Sequence, residues 1–259
     1  MVFIRPRDGR IQADDVIGAV NQDTLLVSAM AVNNETGERL PVEEMFAGVK
    51  QKNPDVLVHC DCVQGFGKIL FSLNRIKADM VTMSSHKIHG PKGCGAIYVR
   101  EGVNLRPLCF GGSQESRVRP GTENVPGIAA FGHASLKALR DIRENWEHVK
   151  ELNLYLRDCQ RQMEAVVINS PSGAVPYVLN ISVLPFATED LLHEMRMRGI
   201  YLSGSSACEK GARSHVIRAM GIDGPRAESV VRIGLGKKNT REEVTVLVET
   251  LNELIKRGK

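Results

Sequence analysis

The feature that most constrains this chain of 259 residues is an alternation of short apolar runs with helix-length segments through its N-terminal half. Residues 24–32, 56–59, 79–83 and 94–99 read as strands. Between the first two, Pro41 opens a helix with an apolar face of Val42, Met45, Phe46 and Val49, and Pro54 stops it. Strands separated by helices predict βαβ units and a mainly parallel sheet. Ligands of such sheets sit at the carboxyl ends of strands, and Asn34, Asp61 and Lys87 fall at or just past such ends.

The C-terminal half changes pattern. A Gly-rich stretch over 111–127 leads to helices predicted over 125–143 and 146–166. Residues 177–183 and 230–235 read as strands. Thr188 is expected to cap a helix that Gly199 ends. Thr240 and Glu243 form a capping box ahead of the stripe Val244, Leu247, Val248, Leu251, Leu254 and Ile255. A boundary near Asn145 divides the chain into domains 1–144 and 145–259.

Composition narrows the class. Apolar residues at 42% support a sizeable core and exclude a disordered or collagen-like chain. The apolar runs are too short to span a bilayer. A net charge of +4 without a Lys/Arg block argues against nucleic acid. Six cysteines with no C-x-x-C pair are too sparse for a disulfide scaffold and argue against structural zinc. Arg5, Arg7, Asp8 and Arg10 precede no apolar signal core, so a cytoplasmic location is expected.

Seven positions carry candidate chemistry. Lys87 follows an apolar strand within S-S-H-K-I-H-G-P-K-G. A lysine held there can lose its proton and attack a carbonyl carbon. Ser84 and His86 on the same turn suit an anion. Asp61 ends a buried run and needs a cationic partner, for which a protonated heteroaromatic nitrogen would serve. Gln64, on the following turn, could donate to a ring oxygen, although Asp61 could equally be a helix cap. Cys208 lies among small residues that leave a thiol accessible. Arg232 is a charge inside an apolar strand and suits a carboxylate partner. Cys60 and Cys62 share a strand face and read as packing. His86 and His89 lack a third ligand nearby, so no metal is expected.

Together the motifs resemble the cysteine desulfurases of the class V aminotransferase group, fold-type I enzymes that use pyridoxal phosphate. The resemblance rests on V-N-N-E-T-G at 32–37, H-C-D-C-V-Q at 59–64 and S-S-H-K-I-H-G-P-K-G at 84–93. It continues in G-G-S-Q-E at 111–115, R-P-G-T-E-N at 119–124, S-G-S-S-A-C at 203–208 and V-R-I-G-L-G at 231–236. It implies an α/β fold with a large domain of mainly parallel sheet and a smaller C-terminal α+β domain.

The resemblance also implies roles. Lys87 would form the Schiff base with pyridoxal 5'-phosphate, Asp61 would keep the pyridine nitrogen protonated and Gln64 would bond the phenolic oxygen. Ser84 and His86 would hold the phosphate, with Thr122 reaching that of a neighbouring subunit. Asn34 and Arg232 would grip the carboxylate of L-cysteine. Cys208 would take the sulfur as a persulfide, releasing alanine, and pass it to an acceptor of iron–sulfur assembly or transfer RNA thiolation. A homodimer is implied. The sequence departs from the family by opening within the large domain, without the T-E-x-N-N phosphate loop. A truncated, inactive fragment or half of a split enzyme is therefore the alternative expectation, and a selenocysteine lyase the alternative activity.

Overall fold

The computed structural model describes residues 1–204 and 214–257. The chain divides into two compact units. Met1–Ala19, with helix α1 (Ala13–Ala19), joins Val32–Pro41 and Arg143–Lys259 in one; Val20–Ala31 and Val42–Ile142 form the other.

The second unit holds a four-stranded sheet in the order β1 (Leu26–Met30), β2 (Leu57–Asp61), β3 (Met80–Ser84), β4 (Gly95–Val99). Its first two pairings are parallel and β3–β4 is antiparallel. The crossover from β1 to β2 contains α2 (Val42–Lys52), whose Met45, Phe46 and Val49 are completely buried. A parallel neighbour requires such a crossover. Val58, Cys60 and Val81 on one sheet face are fully buried. The alternate residues Ser28, His59 and Thr82 are half-buried or exposed, as the two-residue period dictates. A short helix, α3 (Leu73–Ile76), precedes β3. Helix α4 (Val125–Arg140) follows β4, capped by Asn124, whose Oδ1 accepts from Gly127 N at 3.2 Å.

The other unit holds an antiparallel sheet in the order β5 (Val166–Ile168), β6 (Val178–Val183), β7 (Val230–Gly234). All six residues of β6 are buried. Its helices are α5 (Ile142–Arg161), α6 (Thr188–Met197), α7 (His215–Ala219), α8 (Gly224–Glu228) and α9 (Arg241–Arg257). The capping box at α9 is reciprocal. Glu243 N donates to Thr240 Oγ1 at 3.3 Å, and Thr240 N donates to Glu243 Oε2 at 3.1 Å.

Several local expectations shift. The predicted helix over 125–143 ends at Arg140, and the next begins at Ile142 rather than Trp146. That helix stops at Arg161, and Val166 instead opens β5. Its β-branched run Val166-Val167-Ile168 favours an extended edge pairing with β6. Thr188 does not cap α6; its hydroxyl donates to the carbonyls of Glu228 and Val230, at 2.9 and 2.8 Å. No helix among the described residues is long and apolar enough to cross a membrane.

Candidate functional site

The four-stranded unit carries Asp61, Gln64, Ser84, His86, Lys87 and Thr122. Asp61 is the last residue of β2 and pairs with Thr82 of β3. Ser84, two residues beyond Thr82, therefore lies on the same sheet face as Asp61. Asp61 Oδ1 accepts from Val63 N at 2.8 Å. That bond turns the chain out of the strand and leaves Oδ2 without a hydrogen bond among the described residues.

The strand β3 ends in a 3-10 turn over Ser85–Ile88, which presents His86 and Lys87 together. Ser84 Oγ and His86 Nδ1 lie 2.8 Å apart. Lys87 is half-buried and makes no ion pair or hydrogen bond among the described residues. The turn closes through Gly90 N donating to Ser85 O at 3.0 Å. A Cβ at Gly90 would meet Ser85 Oγ at 2.1 Å and Ser85 O at 3.1 Å, so any larger residue would force Ser85 to shift. Ile88 anchors the turn against Phe131 and Ala138 of α4. Gln64 Oε1 accepts from Lys68 Nζ at 3.1 Å. Thr122 is exposed in the segment before α4 and bonds none of the other candidates among the described residues.

His59 belongs to this face too, although the sequence reading gave it no role. Its Nδ1 lies 2.8 Å from Ser28 Oγ and its Nε2 3.1 Å from Thr82 Oγ1, spanning three strands. Burial pushes its pKa down, and the charge of Asp61 opposes that shift. The H-x-D spacing was the available signal, since it places both side chains on one strand face.

The three-stranded unit carries Asn34 and Arg232. Asn34 lies in a turn built by Asn33, whose Oδ1 accepts from the backbone N of Glu35 and Thr36, each at 2.9 Å. Gly37 closes it at φ +72, where a Cβ would approach Val178 O to 3.1 Å. Arg232 in β7 donates from Nη1 to Asn34 O at 2.9 Å. Burial lowers the Arg232 pKa, and the charge of Glu35 opposes this. Ser203, next to Gly204, pairs with Arg232 through backbone bonds of 3.2 and 2.7 Å. Cys208, the expected nucleophile, lies outside the described residues.

The residues of the four-stranded unit fit pyridoxal phosphate. Lys87 offers an amine with no competing partner among the described residues. Asp61 offers an uncommitted carboxylate oxygen for a protonated ring nitrogen. Ser84 Oγ and His86 Nδ1, paired at the accessible end of β3, offer polar groups that suit a phosphate. No group of three or more His, Cys, Asp or Glu that could hold a metal ion occurs among the described residues.

Comparison with known proteins bears on the fold and the family. The Aminotransferase class-V family model matches residues 2–247. The chain is 37% identical over 256 residues to "Cysteine desulfurase, mitosomal" of Encephalitozoon cuniculi, covering 96% of this chain and 58% of that relative. A solved "NIFS-LIKE PROTEIN" superposes with a TM-score of 0.92 at 36% identity, covering 98% of this chain and 68% of that one. The structure titled "SspA in complex with cysteine" has a TM-score of 0.74 at 27% identity, with 92% and 67% coverage. The chain thus spans less than two thirds of the length of curated relatives that it matches. Fold and family follow: the chain belongs to the class-V aminotransferases, pyridoxal-phosphate-dependent proteins of fold type I.

Proposed function

We propose that this chain carries the cofactor- and substrate-handling residues of a cysteine desulfurase, which converts L-cysteine to L-alanine and leaves the sulfur on Cys208. The observation that carries this reading is the β3 turn. It holds Lys87 half-buried and without a partner among the described residues, next to the Ser84–His86 pair. Relatives named as cysteine desulfurases, and a similar protein solved with cysteine, support the substrate.

Bound pyridoxal phosphate would supply an electron sink for the substrate's α-carbon. Lys87 holds the cofactor through its amine and then moves a proton at the substrate carbon. Asp61 keeps the ring nitrogen protonated through its free oxygen. Gln64 donates to the ring oxygen. Ser84 and His86 hold the phosphate, and Thr122 does so across a subunit boundary. Asn34 and Arg232 orient the substrate carboxylate. The Cys208 thiolate attacks the substrate sulfur, the carbon–sulfur bond breaks, and a Cys208 persulfide and alanine result.

Residues 1–144 are proposed as the cofactor-binding domain and 145–259 as the smaller domain carrying the nucleophile. A homodimer in the cytoplasm, delivering sulfur to an acceptor protein, completes the proposal. An apolar stripe on α4 supports a second copy. Val125, Ile128, Leu136 and Leu139 are 66, 49, 73 and 50% exposed, and their spacing places them along the helix as one band.

Cysteine-dependent alanine release tests the reaction. The purified chain with cofactor is expected to release alanine, and Cys208→Ala to lose it. Alanine formed equally well without Cys208 would exclude the persulfide route.

A further inference from the structure

The turn bearing Lys87 lies at the carboxyl end of β3. The opposite end of that strand borders a cavity of about 430 Å³, lined wholly by residues of the four-stranded unit. Its lining includes no residue assigned above to the cofactor or the substrate. Asp79, in that lining, is separated from Ser84 by the length of the strand, roughly 16 Å.

Three cations, Lys50, Lys77 and Arg100, line the cavity together with a single acid, Asp79. The acid is fully engaged. Its Oδ2 meets Lys50 Nζ at 2.8 Å and accepts from Val58 N at 2.7 Å. Its Oδ1 meets Arg100 Nη2 at 2.7 Å and accepts from Arg100 Nε at 2.8 Å. Lys50 Nζ lies 3.4 Å from Pro54 O as well, so its head group is held from two sides.

Lys77 and the far nitrogen of Arg100 remain. Lys77 is exposed, and its side chain makes no ion pair or hydrogen bond among the described residues. Its backbone is fixed: it closes α3, with its N–H donating to Leu73 O at 3.0 Å. Arg100 Nη1 also has no hydrogen bond among the described residues. Three cations against one carboxylate leave the lining net positive, and Asp79 fixes two of them before any ligand arrives.

The other walls are apolar or aromatic, formed by Leu73, Ala78 and the ring of Tyr98. The cavity is larger than an inorganic anion needs and falls in the range of small organic ligands. We propose that it is a second anion site, which binds the phosphate monoester of a small organic molecule independently of the cofactor turn. Lys77 and Arg100 Nη1 pair with the phosphate oxygens. Leu73 and Tyr98 cover the organic body and so separate such a ligand from inorganic phosphate.

Titration calorimetry of the full chain with phenyl phosphate tests this. Wild type is expected to bind with a Kd of about 1 mM or tighter, and inorganic phosphate at least about fivefold more weakly. Lys77→Gln removes the charge and leaves the Asp79 ion pairs in place. It should weaken phenyl phosphate at least about fivefold, whereas Lys77→Arg should stay within about twofold of wild type. Matching unfolding curves by circular dichroism verify that both variants fold. His86→Gln, which alters the cofactor turn, should leave binding within about twofold.

No binding to wild type at about 10 mM probe overturns the proposal, as does undiminished binding to Lys77→Gln. Binding lost in His86→Gln but kept in Lys77→Gln overturns it too, because the probe then occupies the cofactor turn. Inorganic phosphate binding as tightly as phenyl phosphate refutes the organic ligand class. These outcomes are separate from the desulfurase reading, which stands or falls with cofactor binding at Lys87 and alanine release.

Discussion

Every residue of β6 is buried, whereas in β1 Leu26 is 50% exposed and in β4 Ile97 is 47% exposed. The central strand of the three-stranded sheet is thus covered on both faces, with Leu179, Ile181 and Val183 on one and the hydrogen-bonded Asn180 and Ser182 on the other. The four-stranded sheet buries one face and leaves the other half open, and the open face carries Ser28, His59, Asp61 and Thr82. Polar residues that must meet a ligand cannot be sealed into a core. Both units nonetheless bury polar groups, most of them in the three-stranded unit, and the buried acid of the four-stranded one is Asp79, with no side-chain exposure. It accepts from Lys50 Nζ at 2.8 Å, Arg100 Nη2 at 2.7 Å and Val58 N at 2.7 Å.

The largest effect expected from this contrast is at Asp79. Asp79→Ala strands two cations and a backbone N–H, and should cost about 3–5 kcal/mol. Burial alone would raise the Asp79 pKa, but Lys50, Val58 N and Arg100 outweigh it and hold the carboxyl below its ordinary value. The folded pKa is therefore below the unfolded one. Its stabilisation is complete above the unfolded value, about 3.9, and fades as pH falls through the depressed folded value. Urea titrations between neutral and acid pH should show wild type losing this advantage over Asp79→Ala. A constant difference across that range would contradict it.

In the closed unit, Leu251→Ala should cost about 3 kcal/mol, because Leu251 is fully buried in α9. Leu26→Ala on the open face should cost well under that. Trp146, the single tryptophan, stands edge-on to Tyr177 with ring centroids 6.1 Å apart. Its fluorescence reports the three-stranded unit. Leu251→Ala should move that transition, and equal shifts from both leucine substitutions would erase the distinction between the units. Gly37→Ala, at φ +72 against Val178 O, should cost more than about 1 kcal/mol, read from the same fluorescence. The smallest effect expected is at Asn124. Removing this cap of α4 should cost about 1 kcal/mol in the four-stranded unit, measured by urea unfolding followed by circular dichroism.

The sheet of the four-stranded unit was legible because its apolar runs end in turn residues and its crossover helix carries Met45, Phe46 and Val49 at helical spacing. The α9 capping box was legible for the same local reason. The break at Asp141 was not, since the apolar pattern runs through it and helix boundaries are weakly encoded. Strand β5 was hidden because three residues are too few to show a period. Lys87, Asp61 and Arg232 stood out as charges at the ends of, or within, apolar runs. The ion-paired Asp79 did not, because its partners Lys50 and Arg100 are remote in sequence and only the folded chain brings them together.

The most direct test of the cofactor assignment is a pyridoxal phosphate titration of the purified chain, followed by the visible band of lysine-bound cofactor. The wild-type chain and Arg232→Ala should both develop the band, while Lys87→Ala should not. A band that persists in Lys87→Ala, or no band in the wild-type chain, would contradict the assignment of Lys87 and its turn as the cofactor anchor.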